Sequence, residues 1–338
     1  MIPITARSRV RLAALIVVLL LPSIATAQVP QFDCLYVFGD SLADNGNIFA
    51  QTTAMRLEPP VPPSATPHRM YFDGNFSNGY VGVEYLWQRL SGHRPGSVDG
   101  LKPFLASPFT ETGCAINFAF GGTGTLLVDK TPGGFFSPGL SGQIALFRLA
   151  LRAGKPSPRS LYVIATGSND YRNDPTNVPM EPADVVRNIQ SAIETLYQIG
   201  ARTVLVVDLP DFGKIPAYSG DPVTASAVST LHNNLFDEMV ESVQARYPKL
   251  HLIPVKLDPL FVQLAGGGMN IQVPLVEVFT QTPGMSGCLA APATCTDMPP
   301  FVFNADFGFL FWDVVHPTTE THRHFGEYMF QQLAREYD

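Results

Sequence analysis

A serine stands at the point where an apolar run of the chain meets a turn. The stretch LYVFGDSLADNGN spans residues 35–47, and its apolar part ends at Gly39, Asp40, Ser41 and Leu42. A serine hydroxyl is a weak nucleophile unless a nearby base takes its proton and a third group orients that base. The seven histidines of the chain are the candidates for that base.

One histidine has the surroundings of an oriented base. In FWDVVHPTTETH, Asp313 lies three residues before His316 and Pro317 directly after it. Proline disfavours helical backbone at the preceding residue, which predicts an extended turn at His316. A carboxylate three positions earlier on such a turn can bind Nδ1 and leave Nε2 free to act as a base. The alternative is a buried Asp–His hydrogen bond that serves structure alone.

Three other groups could stabilise the negative charge that forms on an attacked carbonyl oxygen. The run NFAFGGTGT is a predicted strand that ends in Gly121 and Gly122, where a backbone N–H can approach a substrate closely. The run ATGSNDY carries Asn169 just beyond another predicted strand. The backbone N–H of Ser41 is the third donor. Each group could instead belong to an ordinary turn, because turns favour Gly and Asn.

The elements that must position these groups follow an alternating order. Five apolar runs are predicted strands, at 34–39, 115–120, 160–166, 203–208 and 251–256. Apolar residues repeating every three or four positions predict helices over 79–91, 141–153, 181–199, 223–247 and 319–335. Apolar strands that alternate with helices predict an α/β fold with a parallel sheet covered on both faces.

The N-terminal residues have the pattern of an export signal. Three arginines precede a short apolar run over 12–21, and the small residues of 25–27 suit cleavage before Gln28. The apolar run is short for a membrane span, although an uncleaved anchor helix is the alternative. We therefore expect a signal peptide over 1–27 and a secreted or periplasmic chain over 28–338.

Residues 28–338 are expected to form a single domain. Two irregular stretches, 50–77 and 266–310, interrupt the alternation and are predicted to be loop insertions near the ligand crevice. The formal net charge of the full chain is −7, and removal of the arginine-containing leader makes it more negative. An acidic surface repels phosphate backbones, which argues against nucleic acid as a partner.

Four short blocks resemble those of the GDSL esterase/lipase family, also called SGNH hydrolases. They are GDSL at 39–42, the glycine pair, G-x-N-D from Gly167 to Asp170, and D-x-x-H from Asp313 to His316. The segments FDGNFSNGYVGVEYL and VVDLPDFGKIP also resemble connecting segments of the exported plant-like and bacterial branch. The resemblance extends over nearly all of 28–338 and implies a flavodoxin-like α/β/α fold with three layers.

The resemblance also implies a role for each residue of the site. Ser41 would be the nucleophile, His316 the base and Asp313 the acid that orients it. The implied oxyanion hole consists of the N–H groups of Ser41 and Gly122 and the amide of Asn169, with Gly121 as the alternative glycine. Such a site uses no metal and no organic cofactor.

The implied activity is that of a GDSL-type serine esterase or lipase that forms an acyl-enzyme. Three alternatives stay open: a lipid acyltransferase or phospholipase, an acetylesterase on acetylated polysaccharide, and a binder of glycan or lipid without activity. We expect a monomer that binds a small-molecule or lipid ester and makes at most transient contact with lipid surfaces. Nine residues of the two insertions could line an acyl cleft, or could cover the core instead: Met55, Met70, Phe72, Phe76, Met269, Met285, Phe301, Phe303 and Phe307.

Four cysteines in an exported chain favour two disulfides. Cys288 and Cys295 enclose a short loop and are expected to pair. Cys34 lies as far before Ser41 as Cys114 lies before the glycine pair. If the family-like arrangement brings Ser41 to those glycines, Cys34 and Cys114 meet as well. The alternative, a zinc site, would need more ligands at closer spacing.

Overall fold

The computed structural model describes residues 29–107, 114–152, 154–172, 179–281 and 285–338. The signal peptide expected over 1–27 lies outside these residues. Among the described helices, none combines the length and apolar character needed to cross a membrane.

A parallel sheet of six strands forms the centre of the fold. Its strands are β1 (Cys34–Gly39), β2 (Lys102–Pro103), β3 (Ala115–Asn117), β6 (Ser160–Ala165), β7 (Thr203–Val207) and β8 (His251–Val255). Their order across the sheet is β2–β3–β1–β6–β7–β8. A separate antiparallel pair joins β4 (Asp129–Lys130) to β5 (Phe136–Ser137). All five predicted strands are present, whereas the short edge strand β2 was not predicted.

Helices connect the strands and cover the sheet. They are α1 (Asn47–Ala54), α2 (Gly82–Ser91), α3 (Leu140–Ala150), α4 (Pro182–Ile199), α5 (Pro222–Arg246), α6 (Leu257–Gly266), α7 (Leu275–Thr280) and α8 (Thr319–Glu336). The five predicted helices correspond to α2, α3, α4, α5 and α8, with ends that differ by at most three residues. The short helices α1, α6 and α7 were not predicted.

Side chains of β1 alternate between two hydrophobic cores, as the period of a strand requires. Leu35 and Val37 belong to one core, together with residues of α2, α6 and α8. Tyr36 and Phe38 belong to the other core, together with residues of α3, α4 and α5. Helices therefore cover both faces of the sheet, which confirms the three-layer α/β/α fold.

The register of the parallel strands brings the predicted site segments to one edge. Leu35 of β1 lies opposite Ala115 of β3, and Gly39 lies opposite Ala165 of β6. The turns that follow these three strands therefore start side by side, at the carboxyl edge where α/β proteins place their ligand sites. The same register sets Cys34 beside Cys114, and the two form a disulfide, as do Cys288 and Cys295.

The two irregular stretches pack against each other. Met70 and Tyr71 from the first stretch share a buried cluster with α7, the Cys288–Cys295 disulfide and Trp312. The first stretch also contains most of α1, and the second contains α7 and three short 3₁₀ turns. Trp312 directly precedes Asp313, so this shared cluster lies beneath the segment that carries the predicted acid and base.

Candidate active site

Three predicted residues form one continuous chain of hydrogen bonds. The Nε2 atom of His316 lies 2.9 Å from the hydroxyl oxygen of Ser41, and its Nδ1 lies 2.6 Å from Oδ2 of Asp313. All three residues are buried, with exposed fractions of 8% for Ser41, 6% for His316 and 0% for Asp313. A hydroxyl, an imidazole and a carboxylate in this order can activate the hydroxyl as a nucleophile.

Both carboxylate oxygens of Asp313 accept hydrogen bonds. Its Oδ1 accepts the backbone N–H groups of Val315 and His316, which closes the turn that Pro317 was expected to favour. Its Oδ2 accepts the hydroxyl of Tyr71 at 2.6 Å, in addition to the imidazole. Burial raises the pKa of Asp313, but the charge of His316 and these hydrogen bonds outweigh it and lower the pKa overall. The acid is thus held ionised beside the base.

The turn after β1 fixes the position of Ser41. Both the N–H and the C=O of Gly39 bind the side chain of Gln143, at 2.8 Å each. Asp40 accepts the N–H of Leu42 and the hydroxyl of Ser168, and burial raises its pKa to about 6 despite these bonds. A Cβ on Gly39 would lie 2.3 Å from the carbonyl oxygen of Ala165, so only glycine allows this close approach.

The two glycines after β3 differ in how their N–H groups are used. The N–H of Gly121 donates to Oδ2 of Asp44 at 2.8 Å, so it is already engaged. Within the described part of the chain, the N–H groups of Gly122 and Ser41 have no hydrogen-bond partner. Gly122 has a φ of +76°, which glycine adopts readily. Of the two glycines, Gly122 is therefore the better candidate donor to an oxyanion.

Asn169 follows β6 on a short 3₁₀ turn and, like Ser41 and Gly122, lines a cavity at this edge of the sheet. Its Nδ2 donates to the carbonyl of Thr123 at 3.1 Å, and its Oδ1 accepts from Arg172 at 3.1 Å. The same guanidinium nitrogen of Arg172 donates to the carbonyl of Gly122 at 3.0 Å. Arg172 therefore links two of the three candidate oxyanion donors, a role that the sequence analysis missed.

A largely apolar cavity of about 380 Å³ opens beside Ser41. Its apolar lining includes Leu42, Ile48, Val61, Phe76, Pro132, Phe135, Phe212, Ile215, Leu289 and Val315. Segments that follow β1, β3, β6 and β7 all contribute to its wall. This cavity can hold the hydrocarbon part of an acyl group, with the carbonyl carbon of that group near the Ser41 hydroxyl.

A family model, GDSL-like Lipase/Acylhydrolase, matches residues 35–329 of this chain. The match extends from β1 into α8 and includes every residue of the site described above. The chain belongs to this family. The GDSL-like lipases and acylhydrolases are enzymes that hydrolyse esters.

Known relatives match most of the chain at low identity. The thermolabile hemolysin of Vibrio parahaemolyticus is 25% identical over 328 residues, which cover 91% of this chain and 65% of the hemolysin. A GDSL esterase/lipase of Arabidopsis thaliana is 25% identical, over 87% of this chain and 85% of that protein. A phosphatidylcholine-sterol acyltransferase of Aeromonas hydrophila is 24% identical, over 87% of this chain and 88% of the acyltransferase.

A solved structure to which the chain is similar is more distant in sequence. A catalytic mutant of an acetylxylan esterase from Geobacillus stearothermophilus is 12% identical, with a TM-score of 0.45. The alignment covers 90% of this chain and 96% of the esterase.

The nine aromatic and methionine residues for which two alternatives were left open lie mostly outside the cavity of this GDSL-like protein. Among the described side chains of that set, only Phe76 lines the cavity. Met70 is buried between the two irregular stretches, and Met55 and Phe301 are 47% and 64% exposed. The side chain of Met285 lies outside those described. Phe303 packs against the same cluster as Met70, which fits the alternative that these residues cover the core.

Two aromatic residues of the first irregular stretch reach the triad of this GDSL-like protein. The centre of the Phe76 ring lies 5.2 Å from that of the His316 imidazole. A Cβ on Gly121 would collide with the Phe76 ring. The hydroxyl of Tyr71 binds Asp313. Neither contact could be inferred from spacing, because more than 230 residues separate each aromatic residue from its partner in the chain.

Proposed function

We propose that the protein hydrolyses carboxylic esters, with Ser41 as nucleophile, His316 as base and Asp313 as the acid that orients the base. The observation that carries this proposal is the unbroken hydrogen-bond chain from Asp313 through His316 to the hydroxyl of Ser41. The family to which the chain belongs supports the same activity.

The reaction proceeds in two halves through an acyl-enzyme. The oxygen of Ser41 attacks the ester carbonyl while Nε2 of His316 accepts its proton. The imidazolium then protonates the departing alcohol, which leaves the acyl group on Ser41. A water molecule, deprotonated by the same imidazole, then attacks the carbonyl carbon of the acyl-enzyme. The bond to the Ser41 oxygen breaks, that oxygen takes the proton back from the imidazolium, and the carboxylic acid is released.

The negative charge of each tetrahedral intermediate falls on the former carbonyl oxygen. The N–H groups of Ser41 and Gly122 and the amide of Asn169 are the donors proposed to receive it. All three line the cavity beside the hydroxyl of Ser41. Donors that are positioned before the reaction starts need little reorganisation when the charge develops.

The first test removes the nucleophile. Ser41→Ala should lower kcat on p-nitrophenyl butyrate by about 10⁴-fold or more, because no other group can form the acyl-enzyme. Ser191→Ala, at an exposed site on α4, is the matched control and should keep the wild-type rate. Wild-type turnover by purified Ser41→Ala would end the proposal.

The apolar wall of the cavity favours an ester with a hydrocarbon acyl group. Each methylene that leaves water contributes about 0.8 kcal/mol, so octanoyl esters should exceed acetyl esters at least tenfold in kcat/KM. A panel of acetyl, butyryl, octanoyl and palmitoyl esters with acetylated xylan measures this order. Highest kcat/KM on acetyl groups of the polysaccharide would favour the acetylesterase alternative.

Acyl transfer to an alcohol is the second candidate, because a relative from Aeromonas hydrophila is named a phosphatidylcholine-sterol acyltransferase. The same acyl-enzyme would serve both reactions, with a sterol in place of water. Incubation with phosphatidylcholine and cholesterol separates them by product. We expect free fatty acid as the main product, and a majority of sterol ester would establish transfer.

We further infer that the chain is exported and that residues 28–338 form one domain. The two disulfides support export, since such bonds persist in oxidising compartments. Mass spectrometry of protein recovered outside the cytoplasm should find an N-terminus at Gln28. Recovery only from the cytoplasm, with free thiols, would contradict this inference.

A further inference from the structure

We propose that Tyr71 is a positioning residue of the active site, which acts through Asp313 to set the basicity of His316. The proposal rests on the proposed function, because it concerns the same Ser–His–Asp chain. It adds a fourth member to that chain, contributed by an irregular stretch of the sequence rather than by a motif.

The hydrogen bonds of Asp313 show why Tyr71 matters. Both donors to Oδ1 are backbone N–H groups of its own turn. Both donors to Oδ2 are side chains, namely His316 and Tyr71, each at 2.6 Å. Tyr71 and the imidazole therefore donate to the same oxygen atom. Tyr71 lies 242 positions before Asp313 in the chain.

The segment that follows Tyr71 is hydrogen-bonded to the residues that follow His316. The hydroxyl of Ser77 donates to the carbonyl of Pro317 at 2.9 Å, and the side-chain oxygen of Asn78 accepts the N–H of Thr319 at 2.8 Å. Tyr71 itself is fully buried, and its backbone N–H donates to the carbonyl of Pro63 at 2.9 Å. The phenol thus meets Asp313 from a rigid position.

The hydrogen bond from the Tyr71 hydroxyl to Asp313 reduces how strongly this carboxylate stabilises the protonated imidazole of His316. A hydrogen bond to the carboxylate spreads its negative charge, so the charged form of His316 gains less from its neighbour. Loss of the phenol should therefore favour the protonated imidazole, which cannot accept the Ser41 proton. Burial, and then the charge of Asp313, hold the pKa of Tyr71 well above its ordinary value, so the phenol remains a donor throughout.

Other titratable groups also face the pair. Asp40 and His322 both interact electrostatically with His316. Burial lowers the pKa of His322 to about 3 and raises that of Asp40 to about 6. Both groups are the same in the wild type and in a Tyr71 variant, so the difference between the two proteins reports on the phenol.

The test is the pH dependence of kcat/KM for Tyr71→Phe between pH 5 and pH 9. The acid limb reports the pKa of the base in the free enzyme. It should move up by about 0.5 to 1 pH unit, which is a three- to tenfold loss at acid pH. KM should change little, and the rate at pH 9 should stay within about twofold of the wild type.

Tyr162→Phe is the matched control. Tyr162 is another fully buried tyrosine, on β6, and among the described residues its hydroxyl binds none of the triad. Its removal should leave the acid limb in place. A folded Tyr71→Phe with an unmoved acid limb, or with an equal loss at every pH, would overturn the assignment and leave Tyr71 a structural residue.

The outcome separates this proposal from the one on which it rests. Full activity in Ser41→Ala would defeat the proposed function whatever Tyr71 does. An inactive Ser41→Ala, together with an unmoved acid limb in Tyr71→Phe, would defeat only the Tyr71 assignment.

If Tyr71→Phe does not fold, a measurement on the wild-type protein tests the proposal instead. The Nδ1 proton of His316 and the hydroxyl proton of Tyr71 both point at one oxygen, so they lie close together. Proton NMR should show a low-field His316 resonance with a cross-relaxation peak to the Tyr71 hydroxyl proton. A visible His316 resonance without that peak would overturn the proposal.

Discussion

Asn169 presents a neutral amide to the cavity, and its neighbours determine which way the amide points. Thr123 accepts from its nitrogen and Arg172 donates to its oxygen, so a flipped amide would lose both hydrogen bonds. A neutral donor would suit the proposed role of this residue, which is to bind a developing oxyanion and still allow a carboxylic acid to leave. The type and position of this residue could be predicted from G-x-N-D, whereas the contribution of Arg172 could not.

Removal of this amide should reduce turnover without unfolding the protein. Asn169→Ala is expected to lower kcat by about 10²–10³-fold, because one oxyanion donor is lost in the transition state. Asn188→Ala is the control, since that amide binds the hydroxyl of Thr125 on a neighbouring segment. Steady-state kinetics and a thermal melt of both variants measure the effect. An unchanged kcat in Asn169→Ala would remove Asn169 from the site.

The strand ends could be predicted because each apolar run stops at glycine or a polar turn. Adjacent parallel strands in register then carry Ser41, Gly122 and Asn169 to the same edge. The edge strand β2 escaped prediction because two residues carry no periodic signal. Its pairing to β3 depends on tertiary contacts alone.

The disulfide between the starts of β1 and β3 should stabilise the fold more than the disulfide in the second irregular stretch. Their sequence separations are 80 and 7 residues. Loop entropy alone gives about 4.5 kcal/mol for the long loop and about 2.4 kcal/mol for the short one. Denaturant melts of Cys34→Ala/Cys114→Ala and Cys288→Ala/Cys295→Ala compare the two. A larger loss of unfolding free energy in the second double variant would contradict this expectation.

At the scale of the whole molecule, several acids are buried away from the triad. Burial is the largest cause that raises the pKa values of Glu84, Asp170 and Asp208, each to about 7. In the unfolded chain, such carboxyls titrate near pH 4. Between pH 4 and 7 the folded protein therefore binds more protons than the unfolded chain, and stability falls as pH rises.

This linkage predicts a lower melting temperature at pH 8 than at pH 5. The contribution of Asp170 is fully present below its unfolded pKa and is lost as pH rises towards 7. Asp170→Asn removes that titration and should reduce the decline in Tm from pH 5 to pH 8 by about 3 °C or more. Calorimetry of both proteins tests this expectation. An Asp170→Asn variant with the wild-type pH dependence of Tm would show that the acid is ionised in the fold.

The packing between the two irregular stretches marks the limit of sequence reasoning. Composition predicted apolar residues there, but could not distinguish a buried core from an open cleft. Tyr71 and Phe76 reach Asp313 and His316 only because the first stretch folds back across the molecule. No periodic pattern of apolar residues predicts the course of the first stretch. The motif residues, in contrast, lie beside strands that do show such a pattern.

Labelling with a fluorophosphonate, followed by peptide mass spectrometry, tests whether Ser41 is the nucleophile. We expect one covalent adduct, on the oxygen of Ser41, because the proposed base His316 activates that hydroxyl. Labelling should be absent in Ser41→Ala and strongly slowed in His316→Ala. An adduct on a different residue, or wild-type labelling of Ser41→Ala, would show that Ser41 is not the nucleophile.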